Sequence, residues 1–117
     1  MLNPVSEPII EKILPALRSV VVQELDNRGY NQDEIAEMMD LTQPAVSQYL
    51  NRRRGNQIEA IRSYDDLRDK ALDIASLISQ SSYGEVEDAY KEFCYALIEK
   101  DDFEEIVDYD RSFFVDL

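Results

Sequence analysis

The chain is expected to be all-α: a small helical bundle with a helix-turn-helix, followed by a pair or trio of amphipathic helices. Three observations predict this. Ile9, Ile10, Ile13, Leu14, Leu17, Val20, Val21 and Leu25 recur at helical spacing near the start. Residues 31–54 read as two short helices joined by a tight turn, with apolar Ile35, Ala36, Met39, Leu41, Val46 and Leu50 on the inner side. Leu67, Ala71, Ile74 and Ile78 then form a clean amphipathic stripe, widened by Leu72, Ala75 and Leu77.

Taken in order, Ser6 can cap a first helix with Glu7 and Pro8 in its opening turn. Pro15 interrupts that helix. It either kinks one long helix or separates two short ones. Gly29 is a terminator. Val20, Val21 and Val22 make a solid apolar patch. The stripe is wide enough to pack wholly beneath the next two helices, or to leave Ile9, Ile10 and Ile13 over for a contact between copies.

Asn31 followed three residues later by Glu34 has capping-box spacing. Asp40 falls where the chain must turn sharply, in a left-handed conformation that Asp tolerates better than most residues. Leu41 would plug the corner. Thr42 can cap the second short helix, and Pro44 sits in its first turn, where a missing N–H costs little. Val46, Tyr49 and Leu50 are spaced to face inward.

That leaves Gln43, Ala45, Ser47, Gln48 and Asn51 for the outer surface, which carries no charge between Thr42 and Asn51. A merely solvated face more often carries Glu and Lys. Glutamine pairs bidentately with adenine, Ser serves either base type, and the Ala methyl can touch a thymine methyl. Gln43, Ala45, Ser47 and Gln48 are therefore the candidate base contacts. Thr42 and Asn51, with Arg52, Arg53 and Arg54 directly after the helix, are the candidate contacts to phosphate or sugar. The plainer alternative is a helical hairpin whose arginines suit the helix dipole. The conjunction of apolar underside and uncharged polar top speaks against it.

On these residues the stretch resembles the Cro/C1-type helix-turn-helix, with Ile35, Ala36, Leu41 and Val46 at the buried positions of that motif. More narrowly, Leu-Pro-Ala-Leu-Arg at 14–18 and Leu-Thr-Gln-Pro-Ala-Val-Ser-Gln-Tyr-Leu at 41–50 look like a group of short archaeal transcriptional regulators. A similar DNA-binding half precedes a thiamine-phosphate-synthase-like domain in some regulators of thiamine biosynthesis. The likeness covers residues 8–55. Asp40 departs from the usual turn glycine. The resemblance implies a DNA-binding regulator without naming operator or effector, and the residues after Gly55 are too few for the synthase-like domain.

The whole chain has a net charge of −13, which taken alone argues against nucleic acid. The distribution matters more. Residues 1–63 hold seven basic and nine acidic side chains, a balance of −2. Residues 64–117 hold five and sixteen, a balance of −11. Only the field within about a Debye length, ~8–10 Å, acts on bound DNA. The acidic half then implies weak non-specific binding, since distant phosphates are repelled. This divides the chain into a DNA-binding part, 1–62, and an acidic helical part, 63–117, that serves dimerisation or a partner.

Beyond the helix-turn-helix, residues 55–63 read as a break, with Ile58 and Ile61 as its anchors in either a short helix or an extended piece. Ser63 is the expected cap of the next helix, with Asp65 and Asp66 in its first turn. Residues 81–84 read as a loop and Glu85 as a helix start. Val86, Ala89, Tyr90, Phe93, Leu97 and Ile98 line the apolar side that follows. Phe103, Ile106, Val107, Phe113, Phe114 and Val115 are too apolar for a free tail, so they fold back or dock on a second copy.

No histidine is present, which removes the commonest general base, metal ligand and pH switch. The one cysteine, Cys94, has no histidine partner and reads as a small core residue. The carboxylates from Asp101 to Asp110 lack the glycine and alternation of a calcium loop and read as a solvated helix face. A non-enzyme is expected, with no catalytic residue, metal or cofactor. One cysteine allows no internal disulfide, no run is apolar enough to span a membrane, and the start lacks the features of a signal peptide, so the cytoplasm is the expected compartment.

Two functions fit. The first is a sequence-specific regulator of double-stranded DNA, a repressor in the simplest case, acting as a homodimer through a recognition helix at 42–51. The second is a protein-interaction module, such as an antitoxin or co-regulator, whose acidic C-terminal helices cover a basic partner.

Overall fold

The computed structural model describes residues 7–51 and 56–100, with side chains described at 14–51 and 58–100. Over these residues the chain forms six α-helices and no strand. They are α1 (Glu7–Asn27), α2 (Gln32–Met39), α3 (Gln43–Asn51), α4 (Asn56–Ser63), α5 (Asp65–Ser79) and α6 (Tyr83–Ile98).

The first helix is the axis of the bundle. Pro15 lies inside it, so α1 runs on as one helix rather than two. From Ala16 to Leu25 only Arg18 and Glu24 escape full burial. A helix apolar on nearly every side must be surrounded. Here α3, α4 and α5 pack on it, and α2 touches it more lightly. The valine patch is thus shared among several neighbours. Ile9, Ile10 and Ile13, offered above as surplus, lie outside the described side chains, as does the cap expected at Ser6.

One apolar core draws on all six helices. Leu17, Val21 and Leu25 meet Ile35, Val46, Ile58, Ile61, Leu67, Ile74 and Phe93 in it. The stripe Leu67, Ala71, Ile74, Ala75 and Ile78 makes α5 the plate between α1 and α6. On the far side α6 contributes Val86, Phe93, Cys94 and Leu97. Burial pushes the Cys94 thiol above its ordinary pKa, which suits a small core residue.

Polar ties reinforce the packing. Arg28, just past α1, binds Glu24 at 2.9 Å and Ser76 Oγ on α5 at 3.0 Å. Lys100 reaches Asp66 at 2.6 Å and lies 4.8 Å from the Tyr64 ring centroid. These contacts fix the far ends of α1 and α6 against α5.

Three helix ends share one device. Gly29, Asp40 and Ser81 have φ of 99°, 53° and 60°. After each, the next N–H returns to the carbonyl five residues back: Tyr30 to Leu25 at 3.2 Å, Leu41 to Ala36 at 2.8 Å and Ser82 to Leu77 at 2.9 Å. This left-handed cap satisfies carbonyls that the last turn would leave open.

One open alternative is decided and two expectations change. Residues 56–63 are helical. Ser63 ends α4 instead of capping α5, because its hydroxyl donates back to the Glu59 carbonyl at 2.7 Å; the cap position belongs to Tyr64, whose side chain makes no capping bond. The α5–α6 turn is shorter than expected, since Ser81 alone takes the left-handed step and Tyr83 and Gly84 already belong to α6. The apolar stretch between Phe103 and Val115 lies outside the described residues.

Candidate nucleic-acid interface

The site is built on α2, the turn and α3. Asn31 Oδ1 accepts from the Glu34 N–H at 2.8 Å, and the Glu34 carboxylate accepts from the Asn31 N–H at 3.0 Å, closing the capping box. Ile35 and Ala36 are buried beneath α2. Asp40 sits in the left-handed region at φ 53°, ψ 46° and sends Leu41 back to half-buried cover. Thr42 Oγ1 accepts from the Ala45 N–H at 3.2 Å and so caps α3.

The orientation of α3 follows from its buried residues. Val46 and Leu50 face the core. At about 100° per residue, Gln48 and Pro44 fall on the opposite side, Asn51 and Ala45 lie equally far round on its two edges, Ser47 lies on a flank, and Gln43 falls on the side of Val46 and Leu50. The burial pattern agrees except at Gln43, the first residue of the helix, which is exposed although it shares the side of Val46 and Leu50. Gln48, Pro44, Asn51, Gln43 and Thr42 are exposed, while Ala45, Ser47 and Tyr49 are half-buried. Of the four candidate base contacts, Gln43 and Gln48 therefore stand clear, and Ala45 and Ser47 form shoulders. Pro44, noted in the sequence only as a first-turn residue, lies in the middle of the outward surface. Arg52, Arg53 and Arg54 lie outside the described residues.

One member of the site escaped the sequence reading. Gln43 Nε2 donates to Gln32 Oε1, linking the first turn of α3 to that of α2. The bond restricts the Gln43 amide and leaves its oxygen and second N–H to other partners. Gln32 could not be singled out beforehand. A polar residue in the first turn of a helix is ordinary, and its pairing depends on how the two helices cross.

The described outer surface from Thr42 to Asn51 is free of charge, as in the sequence. It offers amides, hydroxyls and a proline ring, which suit the edges of bases better than they suit a metal or a reacting bond. No family model, no curated protein and no solved structure matches the chain. None of the described helices is long and apolar enough to cross a membrane.

Proposed function

We propose that the protein is a sequence-specific DNA-binding regulator that places α3 in the major groove. It acts as a homodimer, and repression is its simplest mode. What supports this most is the left-handed turn at Asp40. It joins two short capped helices at a fixed angle and presents an uncharged amide-bearing surface away from the core. Gln43 and Gln48 read base edges, flanked by Ala45 and Ser47. Thr42, Asn51 and the three arginines at 52–54 hold phosphate or sugar. A single helix of nine residues contacts few base pairs, so a two-fold pair with half-sites about 34 Å apart supplies selectivity.

Exposed Glu85, Glu87, Asp88 and Glu92 along α6 favour the other function, a basic protein partner for the acidic half. Selection of duplexes from a random pool separates the two. A palindromic consensus, lost when Arg52, Arg53 and Arg54 are all changed to Ala, is the expected outcome. Recovery of no consensus at low salt would turn the proposal toward the protein partner.

A further inference from the structure

A groove of about 640 Å³ opens between α1, the end of α2, α5 and α6. That volume lies within the ~300–1,000 Å³ range of small-molecule sites. Its apolar surface comes from Met38, Met39, Ile78 and Val86. Arg18 supplies its one cation and is half-buried beside the phenol of Tyr90. No ion pair or hydrogen bond occupies this guanidinium among the described residues. Burial raises the Tyr90 pKa while Arg18 draws it down, so the phenol stays a neutral donor at ordinary pH. Exposed Glu37, Asp40 and Glu87 stand at the rim.

The charges constrain the occupant. An inner guanidinium prefers a carboxylate, which it can bind through two parallel bonds. Three rim carboxylates and a net charge of −13 disfavour any guest with net negative charge, and they attract an ammonium group. Thioether and branched aliphatic walls take an apolar body, aromatic rings included. We propose that the groove binds a free amino acid with an apolar side chain: carboxylate on Arg18, ammonium toward the rim, side chain against Met38, Met39, Ile78 and Val86.

The location gives binding a consequence, which rests on the DNA-binding proposal above. Met38 and Met39 end α2, and Asp40 is the turn that sets α3. An amino acid held there contacts the hinge of the reading head directly. It shifts DNA affinity by as much as it prefers one arrangement of that turn.

The test uses the full chain with 13C-labelled methionine methyl groups and L-phenylalanine as probe. The protein has three methionines, two in the groove, so Met1 serves as the internal reference. Saturable shifts of Met38 and Met39 by L-phenylalanine are expected. Binding at least tenfold weaker is expected for 3-phenylpropionate and for phenethylamine, which each lack one charge. Arg18→Gln should abolish the response, and Arg18→Lys should restore part of it, each checked for helix content by circular dichroism. No saturable shift in the wild-type protein up to ~10 mM, or phenethylamine binding as tightly as the amino acid, would overturn the site. Operator affinity with and without L-phenylalanine is read separately. Methyl shifts without any DNA binding keep the site and remove the regulator; DNA binding unaffected by a bound amino acid removes only the coupling.

Discussion

Gln43 Nε2 and Gln32 Oε1 share a hydrogen bond between α3 and α2, so the Gln43 amide, proposed above to read a base edge, is held by a side chain of α2. If that restraint matters for reading, the two residues are energetically coupled. Gln32→Ala should weaken operator binding by about 0.5–1.5 kcal/mol, the net worth of one such bond. A double-mutant cycle with Gln43→Ala, measured by fluorescence anisotropy, should give a coupling of similar size. Strict additivity would show that the pair does not act in recognition.

Asp40 occupies the left-handed region with φ at 53°. Only residues that tolerate this conformation should be accepted there. Asp40→Val is expected to cost about 1–2 kcal/mol in urea unfolding, while Asp40→Gly should be neutral or mildly stabilising. A valine variant as stable as the wild type would mean that the turn readily adopts another geometry.

Much of this part of the fold was legible because its causes are local. Asn31 with Glu34, Asp40, and Thr42 with Ala45 each bond within three to five residues, and composition alone suggests them. The failures have tertiary causes. At 56–63 the sequence left helix and extended piece open rather than failing, since Ile58 and Ile61 are too few to reveal the period of α4, which packs on α1 and α5. Ser63 falls inside the last turn of α4, where its hydroxyl donates to the Glu59 carbonyl, and the cap position of α5 passes to Tyr64. Nothing in the sequence indicated the groove, since its walls come from four helices far apart in the chain. Gln48 was found as an outward residue because Val46 and Leu50 fix the face of α3, whereas Gln43 shares their side and is exposed as the first residue of the helix. The same geometry moved Ala45 and Ser47 to its flanks.

Ser19 is fully buried on α1, and its hydroxyl oxygen has no hydrogen-bond partner among the described residues. A buried hydroxyl without a partner is a standing cost. Ser19→Ala should therefore stabilise the fold by about 0.5–1 kcal/mol, helped by the higher helix propensity of alanine. Thermal and urea unfolding both report it. A loss of more than 1 kcal/mol would mean that the hydroxyl makes a bond.

The Lys100 hydrogen bond, together with the charge of the same group, holds the Asp66 carboxyl below its ordinary pKa of 3.8. A depressed folded-state pKa gives stability that is present above the unfolded value and is lost as pH falls through the folded one. The effect should thus appear only below about pH 4. The pair is substantially exposed, with Asp66 at 48% and Lys100 at 19%, so the change is small and screened by salt. Lys100→Met should flatten the acid limb of the stability profile below pH 4 and leave the Asp66 carbon resonance titrating nearer 3.8. An unchanged Asp66 titration would remove Lys100 as the cause.

The central claim is that the outward surface of α3 reads base edges, and Gln48 stands exposed opposite Val46 and Leu50. The most direct measurement compares Gln48→Ala with the wild-type chain on a selected operator and on every single-base variant of it. Discrimination should fall by about 1–3 kcal/mol at one base step and hold at the others. Equal discrimination at every position, with helix content preserved, would contradict the account.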